Sequence, residues 1–343
     1  MRLSVLDQSP IPQGGGATAA IAETIKLAQA AEKLGYYRYW LAEHHNTHSF
    51  AGSAPEILIG RVAAETRTIR VGSGGVMLTH YSPLKVAEQF RMLEVLSPGR
   101  IDLGLGRAPG TDQRTMQALQ AGPQGWGIDA FPSQVHLLKQ FLDDASGVAA
   151  MPDDHPYRGI HAMPEGPTRP EMWLLGSGMH SAIYAGELGL PFSHAYFINT
   201  EGSEEACAEY RRRFKPSSWC EHPRISLGVA ALVAETDEEA RRLSASRNLW
   251  VVRLLTNRPI SFPPPDEALD YPYTEQELAI LKSVEKRSIV GTKEQVRTRL
   301  LALADSHGAE ELVVVTITYD YASRLRSYEL LADAFALKAE AAR

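Results

Sequence analysis

Eight short apolar runs, each passed on to at least one amphipathic helical stretch, constrain this 343-residue chain more than any motif within it. The runs lie at residues 3–7, 36–42, 69–72, 101–105, 172–175, 192–197, 225–233 and 311–317. The run at 36–42 alternates poorly and is rich in aromatics, as a strand buried on both faces should be, and parallel strands require helical crossovers of this kind. The helical stretches fall at 17–34, closed by Gly35, then at 54–66, and then from Pro83, with Val86, Phe90, Leu93 and Leu96 in phase and Ser97-Pro98-Gly99 as a stop. Others cover 111–119, a stretch from Ser133, 181–188, 203–214, 237–255, 292–307 behind a Thr292 cap, and 323–337. Eight such units predict an α/β fold, a (β/α)8 TIM barrel, as a single domain over 1–343. With 44% hydrophobic residues, the chain can fill so large a core. Residues 151–170 and 257–287 break the rhythm with prolines and glycines, and are expected to be irregular insertions.

In such a barrel the chemistry sits at the carboxyl ends of the strands, and several runs end unusually. The first is closed by Ser9-Pro10, and the second leads into Glu43-His44-His45-Asn46. The third breaks into Ser73-Gly74-Gly75, small residues that leave room for a flat ligand against the backbone. The fourth ends in Gly104, Gly106, Arg107 and Gly110, glycines with a cation that suits a phosphate. A glycine-rich patch continues through Gly122, Gly125 and Gly127. The sequence GLGRAPG does not have the spacing of the dinucleotide fingerprint G-x-G-x-x-G. The fifth run ends in Gly176-Ser177-Gly178, with Ser181 in the opening turn of a helix, where free N–H groups and hydroxyls meet an anion. Singly, each glycine is better explained by a tight turn. Together they point to a phosphorylated ligand at one end of a barrel.

Charge and cysteine usage narrow the partners. Acids outnumber Lys and Arg by 41 to 35, a net charge of −6, and the one basic run is Arg211-Arg212-Arg213, so nucleic acid is not expected as a partner. Cys207 and Cys220 have neither metal-ligand spacing nor disulfide density, and read as thiols of a reducing compartment. The N-terminus enters a strand without a signal-peptide core and no apolar run is long enough for a bilayer, so the expectation is a cytoplasmic protein that does not associate with a membrane.

The residues also carry a resemblance. AEHH at 42–45, VGSGGVML at 71–78, SPLKVAEQFRMLEVLSPGRIDLGLGR at 82–107 and LGSGMHSAIYAGELGLP at 175–191 resemble the bacterial-luciferase-like family of flavin-dependent monooxygenases. The likeness continues through IVGTKEQV at 289–296 and ELVVVTITYDYASRLRSYELLADAF at 311–335. It implies a barrel with an insertion after a late strand, reduced FMN as cosubstrate or bound cofactor, molecular oxygen, a small organic substrate and a homodimer paired through 54–66 and 83–96. It also implies that Ser73-Gly74 lies at the family's non-proline cis peptide against the flavin, that Arg107 contacts the phosphate, and that Gly176, Ser177, Gly178 and Ser181 form the phosphate-binding turn. Where luciferase has a glutamate this chain has Ser177. His44 matches the histidine that acts as base or hydrogen-bond partner near the C4a-hydroperoxide formed from reduced flavin and oxygen, and a near-neutral pKa suits that work; a histidine that only shapes the pocket is the alternative.

On a strand, His44 and His45 would face opposite sides, leaving one of them at the barrel mouth. Glu43 is expected to orient a neighbour. Tyr81, Met77, Trp126 and the two insertions are candidates to cover a dry pocket. With no second nucleotide motif, a separate flavin reductase is the expected source of reduced FMN. Three other readings stay open: a deazaflavin-dependent hydride-transfer enzyme, a non-catalytic flavin-binding protein, and a metal-dependent hydrolase using His44, His45, His48 and His80.

Overall fold

The computed structural model describes residues 1–108, 110–120 and 127–339. Gly122, Gly125 and Trp126 therefore lie outside the described residues. The first half contains β1 (Arg2–Asp7), α1 (Ala17–Leu34), β2 (Arg38–Leu41), α2 (Pro55–Glu65), β3 (Arg70–Met77), α3 (Pro83–Leu96), β4 (Ile101–Gly106), α4 (Gln113–Leu119) and α5 (Phe131–Ala145). It continues with β5 (Glu171–Gly176), α6 (Met179–Glu187), β6 (Phe192–Ala195), α7 (Ser203–Arg213), β7 (Ile225–Val233) and α8 (Asp237–Leu255). The last elements are α9 (Pro265–Leu269), α10 (Glu275–Lys286), β8 (Ser288–Gly291), α11 (Lys293–His307), β9 (Glu311–Val315) and α12 (Tyr321–Ala334).

Strands β1 to β7 pair in sequence order, β7 pairs with β9 and β9 returns to β1, all in parallel. The ring is a closed eight-stranded TIM barrel, as the alternation predicts. The added strand β8 stays outside the ring and pairs only with Ala230–Val233, the far half of β7. Local signals set the element ends: Gly35 closes α1 in the left-handed region at φ +88°, and its N–H reaches the carbonyls of Ala31 and Glu32. Residues 257–287 depart from expectation, because two helices form there and Thr274 with Glu277 makes a capping box for α10.

Alternation along the strands separates two cores. Val5, Tyr39, Leu41, Leu312 and Val314 face outward and pack with helical residues such as Leu27, Ile59 and Phe90. Leu6, Trp40, Trp173 and Val313 face inward and join Phe50, Trp250 and Phe262 near the mouth. Trp40 and Trp173 meet edge to face at 5.5 Å, worth about 1 kcal/mol beyond their burial. Towards the amino ends of the strands the interior is polar and filled. Arg38 binds Asp102 and Glu311, each at 2.7 Å, Trp40 Nε1 donates to Asp102 at 2.9 Å, and Ser4 donates to Glu311 at 2.5 Å. Burial opposes ionisation of Asp102, but Arg38 and Arg70 outweigh it and hold the carboxyl below its usual range.

Candidate active site

At the carboxyl ends of the strands lies an inner cavity of about 440 Å³. Gly74 and Gly75 of β3 form part of its wall, and a side chain fits at neither position. A Cβ on Gly74 would meet Leu6 Cδ1 at 2.7 Å, and one on Gly75 would meet the Gly104 carbonyl oxygen at 2.7 Å. Here the structure corrects the expected position of the cis bond: it joins Gly74 to Gly75, not Ser73 to Gly74. Strand β3 also runs past Ser73, and its register against β4 shifts only between Gly74 and Val76. Ser73 does not line the cavity, since its buried hydroxyl donates to the Gly104 carbonyl at 2.9 Å.

Arg107, just past the end of β4, lines the cavity, and among the described residues no carboxylate pairs with it. Gly176, Ser177, Gly178 and Ser181 line it too. Gly178 is the N-cap of α6 and offers no side-chain cap, so the first N–H groups of that helix are left for another acceptor. The reason for Gly176 is packing, because a Cβ there would lie 2.2 Å from both Cβ and Oγ of Ser181. Asn199 fixes the turn by donating to the Ser177 carbonyl at 2.9 Å. Leu6, Trp40, Leu175, Phe197 and Val313 supply the apolar lining, and Gly228 makes room for Phe197, whose ring would lie 3.1 Å from a Cβ there.

A larger outer cavity of about 890 Å³ shares Phe197 and Ile198 with the inner one. His44 lines the outer cavity and not the inner one. The strand ends at Leu41, so His44 and His45 stand in a loop and not on the predicted strand. Backbone contacts shape that loop: the His44 N–H donates to the Gly52 carbonyl at 2.9 Å. The His44 ring stacks on Phe50 at 4.5 Å, and its Nε2 lies 3.4 Å from Gln8 Nε2. Burial pushes its pKa down to about 4; Glu43 opposes that shift and His45 adds to it. His45 instead binds Glu43 at 2.7 Å. Glu43 also accepts from Tyr81 Oη at 2.7 Å and from the Met77 N–H at 3.0 Å, so it orients three neighbours.

Other expected covering groups divide. Met77 lines the inner cavity, Tyr81 is held by Glu43, and Pro259, Ile260 and Ser261 of the second insertion line the outer cavity. The excursion at 151–170 lines neither, because Arg91 takes up the Pro164, Gly166 and Thr168 carbonyls and holds it against α3. Among the described residues no group of three or more His, Cys, Asp and Glu is placed to hold a metal ion, and no helix is long and apolar enough to cross a membrane.

A family model described as luciferase-like monooxygenase matches residues 1–310. The chain belongs to the luciferase-like monooxygenase family. Among luciferase-like relatives, the N-acetyl-S-alkylcysteine monooxygenase of Bacillus subtilis (strain 168) is 41% identical over 338 residues, 97% of this chain and 98% of that protein. The crystal structure of apo-MsnO8 superposes with a TM-score of 0.89 at 41% identity, covering 98% of this chain and 99% of that one. The oxygenating constituent of 3,6-diketocamphane monooxygenase from Pseudomonas putida, solved in complex with FMN, has a TM-score of 0.71 at 19% identity over 97% of each chain, a likeness of fold.

Sequence reasoning passed over some lining residues of this luciferase-like barrel. His180 lines the inner cavity from the first turn of α6, directly before the predicted Ser181. Arg247 lines the outer cavity with Trp250, Val251 and Leu254. Their spacing of i, i+3, i+4 and i+7 puts an arginine in the apolar stripe of α8, a signal that was there to read.

Proposed function

We propose that this protein is a flavin-dependent monooxygenase that holds reduced FMN in the inner cavity and a small organic substrate in the outer one. The carrying observation is Arg107, a cation without a carboxylate partner among the described residues, on the same cavity as the open N-terminus of α6. That pairing suits a phosphate, and the glycine wall with Trp40, Leu175 and Phe197 suits a flat ring system. The observed groups thus fit the cofactor that the sequence resemblance implies, and the same fold holds FMN in the diketocamphane enzyme.

When bound, reduced FMN supplies the two electrons with which dioxygen is activated for transfer to the substrate. The chain's own part is placement and exclusion of water. Arg107, Ser177 and Ser181 bind the phosphate, and Gly74 and Gly75 let the ring approach the backbone. Phe197 and Ile198 border both cavities and bring substrate and ring together in an apolar setting. His44 is neutral at physiological pH and can accept a hydrogen bond or a proton, but a pKa of about 4 makes it a weaker base than the near-neutral histidine that the resemblance implies. Its Nδ1 is buried without a partner, which leaves Nε2, beside Gln8, for proton exchange. A separate flavin reductase supplies the reduced cofactor in this reading, in the cytoplasm.

Anaerobic titration with reduced FMN and with a reduced deazaflavin tests the proposal. Reduced FMN should bind, and Arg107→Met should weaken it about tenfold, the effect of losing one charge-assisted contact. Binding of the deazaflavin alone would sink the oxygenase reading in favour of hydride transfer.

A further inference from the structure

The outer cavity carries positive charge that the proposed reaction does not use. Arg247 of α8 is only partly exposed, lines this cavity, and donates to Ser288 Oγ at 3.1 Å. Arg287, directly after α10, lines the same cavity and donates to the carbonyls of Ile198 at 3.0 Å and Ser283 at 3.2 Å. Among the described residues neither guanidinium has a carboxylate partner. Burial, followed by the proximity of Arg287, pushes the Arg247 pKa down to about 10, which still leaves its guanidinium protonated at neutral pH.

Buried arginines elsewhere are met by backbone carbonyls or by acids: Arg91 donates to the Pro164 and Gly166 carbonyls. Arg38 is neutralised by Asp102 and Glu311, and Arg324 by Asp7 at 2.7 Å. The acid that lines the outer cavity is Asp112, and it is already engaged. It caps α4 by accepting from the Thr115 N–H at 3.0 Å and Thr115 Oγ1 at 2.7 Å, and it accepts from Asn46 at 3.2 Å. Much of the remaining wall is apolar, with Trp250, Leu254, Leu255 and Ile260. Two partly desolvated cations in an apolar chamber are unfavourable until an anion joins them. A guanidinium with one N–H spent on Ser288 still presents a planar fork, which a carboxylate matches in two parallel bonds.

We propose that the substrate is an apolar molecule bearing one carboxylate, received by Arg247 and Arg287 while its apolar part lies against Trp250 and Leu254. The inference rests on the outer cavity being the substrate site, but its test needs neither turnover nor oxygen.

Calorimetric titration of the full-length protein, with and without oxidised FMN, would use 4-phenylbutanoate, N-acetyl-S-benzylcysteine and the methyl ester of each. At least one acid should bind about tenfold more tightly than its own ester, the discrimination expected of a charge-assisted pair. Arg247→Met and Arg287→Met should each reduce that ratio, the double variant should bring it near one, and Arg247→Lys should keep part of it. Arg287 is tied through backbone carbonyls, so Arg287→Met gives an answer even if Arg247→Met fails to fold. Equal affinity for acids and esters, no binding of either acid, or a preference that survives in the double variant would each overturn the proposal. An acid preference in a protein that binds no FMN would uphold the anion site and reject the flavin reading.

Discussion

A histidine whose proton leaves at about pH 4 is a different reagent from one that titrates near 6.5, and His44 owes that difference chiefly to burial. Its folded pKa lies below the unfolded value, so between those two values the unfolded chain binds the proton that the native state refuses. Stability is therefore undiminished above pH 6.5 and falls as pH drops towards 4, by a total on the order of 3 kcal/mol. Urea titrations from pH 7 to 4 should show this loss for the wild type and a smaller one for His44→Phe, which preserves an aromatic face towards Phe50. Equal pH slopes would refute the assignment. The other site residues differ in how far the sequence exposed them. Arg107, Ser177 and Ser181 were legible because each follows a strand end, where barrel geometry assigns a direction. Ser73 was not, since one step along a strand reverses the side chain, and the register shift that moves the exposed backbone to Gly74 and Gly75 depends on β4, a partner distant in sequence. Arg247 was legible as a cation in the apolar stripe of α8, but nothing in a single helix says which neighbours deny it a counter-ion.

At the scale of elements, the β5–α6 turn shows how a glycine can be required by packing beside a binding site. Gly176→Ala should cost about 1–3 kcal/mol, because its methyl would overlap Ser181, and it should weaken reduced FMN binding as the turn shifts. Adding Ser181→Gly should recover much of the stability but not the affinity, since Ser181 also lines the cavity. Thermal melts and flavin titrations of the two variants decide it. A Gly176→Ala protein as stable as wild type would contradict this account. Residues 257–287 read as irregular because Pro263-Pro264-Pro265 dominates their opening, although the Thr274 and Glu277 capping pair was visible in sequence. Strand β8 was missed altogether. Four residues carry little periodic signal, and its pairing with β7 crosses α8, α9 and α10.

For the whole molecule, the alternation of strands and helices was enough to foresee a closed barrel, because eight βα units with apolar strands have few other ways to bury every strand. Assembly is a further expectation at this scale. Ile57, Met92, Val95 and Leu96 are 73, 51, 47 and 68% exposed on α2 and α3, the helices proposed to pair in a homodimer. Light scattering at micromolar concentration should give twice the chain mass, and Ile57→Asp with Leu96→Asp should halve it. A monomeric wild type would end the dimer proposal. The filled base of the barrel has its own consequence for traffic. Arg38, Asp102, Trp40, Trp173 and Glu311, none more than 2% exposed, close the amino end like the floor of a flask. A flask fills from one side: whatever enters either cavity does so from the side of the carboxyl ends of the strands.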